Sequence, residues 1–227
     1  MGSEMCIRDS TNVIDEPFYA YYLKQSGADH PMGDEILSAL PQKWQGVADL
    51  LNGPAPENAP VFFHKHISYH FAEGGELPLD WIDGQRTFLL IRDPRAMVAS
   101  YVKKFPDVAP ITMSLDVQTR IHKHLTNAGK PCPVVDATDI LKSPAAMLKK
   151  LCTALDIPFT EKMLAWPKGQ RSSDGIWAPH WYDAVMDSTG FKPYAEKNIE
   201  LTPELEGFAE QCAAPYQHLY ENRLLPT

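Results

Sequence analysis

RTFLLIRDPRAMVASY, residues 86–101, is the stretch that decides how this chain folds. Thr87 to Ile91 is short and almost wholly apolar, the pattern of a strand buried on both faces of a sheet. Asp93 then offers a side-chain cap for the free N–H groups of a helix start. Pro94 suits the first helical position, where no N–H is needed. The stretch reads as a strand turning directly into a helix that starts at Pro94 and runs to about Lys104. Arg92 falls where the strand stops, and Ser100 follows on the helix side shared with Asp93 and Met97. A joint of this kind places its residues at the carboxyl edge of a parallel sheet, where open α/β folds bind ligands. A guanidinium with a hydroxyl close by suits a phosphate group. Two plainer uses stay open at this point: Arg92 pairing with a surface carboxylate, and Ser100 bonding back to its own helix.

IRDPRAMVASY resembles the 3′-phosphate-binding motif of the sulfotransferase family, which uses 3′-phosphoadenylyl sulfate as donor. The resemblance implies that Arg92 and Ser100 hold the donor's 3′-phosphate. It extends from Val13 to Phe191 and is nearest to small bacterial sulfotransferase-like proteins. It implies a P-loop-like α/β domain of three layers, a parallel sheet flanked by helices. The implied reaction is sulfonate transfer from 3′-phosphoadenylyl sulfate to a hydroxyl or amine of a small-molecule acceptor.

Outward from that motif, the alternation of strand and helix supports a parallel sheet. Val13 to Pro17 reads as a strand ending in Asp15 and Glu16, followed by Phe18, Tyr19, Tyr21 and Tyr22. The two acids cap the next helix or, for Glu16, supply a general base. A Glu just after the second strand is the base in some tyrosyl-protein and bacterial sulfotransferases, and Glu16 resembles it in position. Asp34 to Leu51 is helical with a break near Pro41, and residues 52–60 form a loop. Val61 to His66 is the next strand. Cytosolic small-molecule sulfotransferases carry Lys-x-His at the equivalent strand end, with the His as base. Here the order is His64-Lys65-His66, so His66 matches that His and the Lys is displaced by one place. His66 and His70 have the spacing of metal ligands on a helix face, but no third ligand is evident and no metal is expected.

Ser114 to Asn127 reads as a helix closed by Gly129, with His122 and His124 on the surface. Pro133 to Asp136 reads as a strand, and Ser143-Pro144 opens a helix to Leu155. KGQRSSDGIWAPHW, residues 168–181, reads as a fixed loop anchored by Trp177 and Trp181. It also resembles the family's late loop, which closes over the 3′-phosphate and adenine; that likeness falls on Arg171, Gly175 and Trp177. A last helix is expected from Thr202-Pro203 to Asn222, kinked at Pro215.

Composition sets the remaining bounds. The chain has 227 residues, 44% of them hydrophobic and 22% charged, which fits one soluble globular domain. No apolar run approaches a membrane span, and no secretory signal is read at the start, so the cytoplasm is the expected location. A net charge of −8 argues against general nucleic-acid binding. MGSEMCIRDS, residues 1–10, is similar to the translated end of a widely used transposase sequencing adaptor. It is set aside as a non-native tail, with residues 11–227 as a single domain. Cys6 leaves with it, and the other three cysteines show neither a CxxC pair nor a His/Cys cluster. No Gly-rich or Lys/Arg-bearing loop precedes Val13, so the expectation is a fragment lacking the family's first strand and 5′-phosphosulfate loop, inactive as it stands. Two other functions stay open: a P-loop-type kinase, whose GxxxxGK[ST] would lie upstream, and a non-catalytic nucleotide-binding or interaction protein.

Overall fold

The structure, a computed structural model, describes residues 11–72, 75, 77–105 and 107–226. Met1 to Ser10, read above as a non-native tail, lie outside the described residues. The chain forms two compact units, one of residues up to Trp81 together with Thr160–Phe191, the other of Ile82–Phe159 together with Lys192 onward.

In the first unit, β1 (Thr11–Asp15) and β2 (Val61–Lys65) pair in parallel, with Asp15 opposite Lys65. Parallel neighbours need a long crossover. It is supplied by α1 (Tyr19–Ser26), α2 (Gly33–Ala39) and α3 (Trp44–Leu51). α1 ends at Gly27, whose φ of +66° is the left-handed conformation that glycine takes at no steric cost. Its buried residues Tyr19, Ala20, Tyr22 and Leu23 form one stripe at helical spacing. That stripe packs with Ile36, Tyr69 and Trp177 into a core. The expected break near Pro41 is the gap between α2 and α3.

In the second unit, β3 (Leu89–Ile91) and β4 (Val134–Asp136) pair in parallel, with Ile91 opposite Asp136. The crossover is α4 (Pro94–Tyr101) and α5 (Ala109–Asn127). After β4 come α6 (Ala137–Lys142) and α7 (Pro144–Ala154); the chain later adds α10 (Pro203–Gln211) and α11 (Ala213–Glu221). Two short helices of the first unit, α8 (Ala178–Trp181) and α9 (Asp183–Met186), lie between them in sequence. Each unit is therefore a parallel strand pair flanked by helices, the local architecture of an α/β domain.

Three local expectations need correction. α5 starts at Ala109 rather than Ser114, because Pro110 in the first turn needs no N–H and extends the helix backwards. His122 is not on the surface: it is 7% exposed, and its Nδ1 lies 3.2 Å from Nε2 of His218 on α11. The last helix breaks at Cys212, not at Pro215. Pro215 sits in the first turn of α11, where its missing N–H costs nothing, so the chain restarts a helix ahead of it instead of kinking through it.

Candidate functional site

The strand-to-helix joint of the second unit forms as its sequence dictates. β3 stops at Ile91, and Asp93 caps α4 by accepting the Ala96 N–H at 2.9 Å, with Pro94 in the first turn. Arg92 and Ser100 are both exposed. Among the described residues, neither the Arg92 guanidinium nor the Ser100 hydroxyl has a hydrogen-bond partner. The two plainer uses, a surface ion pair and a bond back to the helix, are therefore not what these side chains do here. Asp136, at the end of β4, is 1% exposed; it accepts the Thr138 N–H at 2.7 Å and the Tyr216 hydroxyl at 3.0 Å. The charges of Asp93 and Asp136 both act on Arg92.

The first unit holds a second constellation, at the carboxyl ends of β1 and β2. Its registry places Asp15 beside Lys65, and the next residue, Glu16, donates its N–H to the Lys65 carbonyl at 2.8 Å. Glu16 has φ +44°, a left-handed conformation rare for a residue with a side chain. Such conformations persist only where surrounding contacts enforce them, and they cluster at functional sites. The contacts here are dense. Lys65 Nζ donates to Asp15 Oδ1 at 2.9 Å, to Glu16 Oε1 at 2.5 Å and to the Tyr182 hydroxyl. The Tyr182 oxygen lies 2.8 Å from both Asp15 Oδ2 and Glu16 Oε1. The Gly175 N–H donates to Asp15 Oδ2 at 3.0 Å, and Trp177 Nε1 reaches the Tyr182 oxygen at 3.4 Å. The side chains of Asp15, Glu16 and Lys65 are 4%, 8% and 16% exposed, so these charges are largely withdrawn from water.

Burial sets the proton affinities. It raises the Asp15 carboxyl above its usual range; Lys65 opposes that shift and Glu16 adds to it. Burial pulls the Lys65 ammonium down, but Glu16 and Asp15 outweigh it and hold the group charged beyond its ordinary range. Tyr182 is pushed up by burial first and then by the two carboxylates. The helix-capping reading of the two acids is not what forms, since α1 starts after Phe18 with no side-chain cap. Glu16 Oε2 has His70 Nδ1 3.9 Å away, and His70 is stacked between Tyr19 and Tyr22 at ring distances of 4.8 and 4.7 Å.

His66, the alternative base, lies among Phe18, Phe71 and Trp81. Both its ring nitrogens are buried without a hydrogen-bond partner among the described residues. Burial pushes its pKa down to about 3. Arg171 turns the late loop: its N–H donates to Asp174 Oδ2 at 2.8 Å, and its carbonyl accepts the Asp174 N–H at 3.1 Å. The structure thus joins Glu16, Gly175 and Trp177 through Asp15 and Tyr182. Tyr182 was not singled out by sequence, and His70 and Lys65 entered only as a metal spacing and a displaced motif residue, not as neighbours of Glu16. Lys65 carried the one visible signal, a charge closing an apolar strand.

The family model described as "Sulfotransferase domain" matches residues 1–201 of the chain. The chain belongs to the sulfotransferase domain family. Two curated relatives from Arabidopsis thaliana bear another name. "Branched-chain-amino-acid aminotransferase-like protein 2" is 35% identical over 214 residues, 93% of this chain and 37% of the relative. "Branched-chain-amino-acid aminotransferase-like protein 1" is 36% identical over 185 residues, 81% of this chain and 32% of the relative. The sulfotransferase domain therefore spans about a third of the length of these curated relatives. Similar solved structures include the "Sulfotransferase Domain from the Curacin Biosynthetic Pathway", with a TM-score of 0.43 at 15% identity, covering 86% of this chain and 78% of that one. The "Sulfotransferase Domain from the Synechococcus PCC 7002 Olefin Synthase" has a TM-score of 0.38 at 13% identity, covering 86% of this chain and 74% of that one.

Proposed function

We propose that this sulfotransferase domain takes 3′-phosphoadenylyl sulfate as donor and transfers its sulfonate to a hydroxyl or amine of a small molecule. The observation that carries this reading is the joint at Arg92 to Ser100: a guanidinium and a hydroxyl, both exposed and without an internal hydrogen-bond partner among the described residues. Their donors fit the oxygens of a 3′-phosphate. The family resemblance adds Arg171, Gly175 and Trp177 as the loop over the nucleotide.

Glu16 is the proposed base. It would take the acceptor's proton while the acceptor's lone pair forms the new bond to sulfur. The bond from sulfur to the donor's phosphate oxygen breaks, and 3′,5′-diphosphoadenosine leaves with that electron pair. His66 suits the role less well. A base whose conjugate acid has a pKa of about 3 gives little driving force for taking a proton at neutral pH. The aminotransferase wording in the relatives' names draws no support from Lys65. Two carboxylates hold that buried amine charged, the opposite of a lysine readied for a Schiff base.

The test is radiolabelled sulfonate transfer from the donor to a panel of phenols and amines. Glu16→Gln should cut the rate by roughly 10²-fold or more with donor affinity little changed, and His66→Ala should have a smaller effect. The reverse ranking moves the role to His66. Full activity in both variants removes the base assignment altogether.

A further inference from the structure

The Tyr182 hydroxyl has one proton and two carboxylate oxygens at 2.8 Å, Asp15 Oδ2 and Glu16 Oε1. It can donate to one of them only. The other contact then sets two oxygens against each other unless the carboxyl itself supplies a proton. The lysine cannot supply it, because Lys65 Nζ already directs its three N–H groups to Asp15 Oδ1, Glu16 Oε1 and Tyr182. Charge leads to the same result. Two ionised carboxylates facing one ammonium would leave a net negative charge in a site whose three side chains are 4%, 8% and 16% exposed. Uncompensated buried charge is expensive, and paired carboxylates commonly relieve it by keeping one proton.

We propose that Asp15 and Glu16 hold one proton between them at neutral pH, that it resides on Asp15 Oδ2, and that Tyr182 is the positioning residue linking the two. The order of donation is Asp15 Oδ2–H to the Tyr182 oxygen, and Tyr182 O–H to Glu16 Oε1. Glu16 Oε1 is the natural end of this chain because it also takes the short Lys65 bond. The direction of the Asp15 shift agrees, with burial its largest cause. Other groups facing the pair do not reverse this direction: the Gly175 N–H on Asp15 Oδ2 favours the ionised form but is the smallest of the causes. His70 is neutral through burial, His30 is shifted towards its neutral form by burial, and the remaining contacts are the Gly175 N–H and Trp177 Nε1.

The consequence for turnover rests on the reading of Glu16 as base. Two carboxyls of different proton affinity divide the work. Asp15 keeps the resting proton, and Glu16 Oε1 is pinned by Tyr182 and Lys65. Oε2, which has no hydrogen-bond partner among the described residues, is the atom left to meet an acceptor. Gly175 and Tyr182 also fasten the late loop to the same aspartate.

The test is side-chain carboxyl NMR of the whole chain with isotope-labelled aspartate, followed as a function of pH. One aspartate carboxyl should remain protonated at neutral pH, and its resonance should be lost in Asp15→Asn. Glu16→Gln removes the like charge beside it and should lower its titration midpoint. In Tyr182→Phe the link is cut, and adding Glu16→Gln should then move that midpoint less than it does in the parent. A spectrum with every aspartate ionised at neutral pH overturns the proposal, as does a protonated resonance that survives Asp15→Asn. The spectrum needs no donor or acceptor. A chain that keeps the Asp15 proton yet transfers no sulfonate overturns the transfer reading alone.

Discussion

Replacing Lys65 by Met keeps the aliphatic stem and removes the ammonium that Asp15 and Glu16 share at 2.9 and 2.5 Å. Removing one partner of a buried ion pair costs about 3–5 kcal/mol, because the charge left behind has no compensation. For a chain of this size about 1 kcal/mol moves the melting temperature by roughly 2–4 °C, so a drop of about 6–20 °C is expected. All five tryptophans (Trp44, Trp81, Trp166, Trp177 and Trp181) belong to the first unit, so their fluorescence reports on the unit that carries Lys65. The loss should depend on pH. Lys65 lowers the Asp15 pKa, so its removal raises that pKa further above the unfolded value. A carboxyl with a raised folded pKa adds stability that is full below its unfolded pKa and fades as pH rises through the folded one. The Lys65→Met penalty is therefore largest above the pH range in which Asp15 loses its proton and shrinks below it. A variant that melts with the parent at every pH, or a penalty that ignores pH, would refute the claim that this cluster is a buried charge site.

Two further perturbations follow from single distances and burial. At Gly175 an added Cβ would run into the Trp177 ring, so Gly175→Ala must expel an indole that is 3% exposed. A red-shifted tryptophan emission and a melting point lowered by several degrees are expected, and an unchanged emission spectrum would contradict the packing. His66 must gain a proton in a site that holds its pKa at about 3. A depressed pKa gives stability that is full above the unfolded value of about 6.5 and is lost as pH falls towards the folded one. His66→Phe, matched to its aromatic neighbours, should flatten the loss of stability between about pH 6.5 and 4 in urea titrations; an identical acid limb would show that His66 is not buried as described.

How much of this was legible in the sequence depends on the range of each interaction. The joint at residues 86–101 was readable because its signals are local: an apolar run, then Asp93 to cap and Pro94 to start α4. The break at Pro41 was local too. The Asp15–Lys65 contact spans 50 positions and depends on a parallel registry that no local pattern specifies. Tyr182 lies 167 positions from Asp15 and follows an aromatic run that reads equally well as core. Lys65 stands one place away from the Lys of the family's Lys-x-His pattern, and that same place puts it beside Asp15. The burial of His122 is not legible locally, because its partner His218 lies 96 positions away on α11.

The central claim, that Arg92 and Ser100 hold the 3′-phosphate of a sulfonate donor, is most directly tested by titration calorimetry with two ligands that differ in that phosphate. 3′,5′-Diphosphoadenosine should bind the parent chain more tightly than adenosine 5′-phosphate does. A charged hydrogen bond is worth about 1.5–3 kcal/mol, so Arg92→Ala should weaken the diphosphate roughly 10- to 150-fold while leaving the monophosphate nearly unchanged; Ser100→Ala should act in the same direction with a smaller loss. Equal weakening of both ligands, or a parent chain that does not distinguish them, would contradict the assignment.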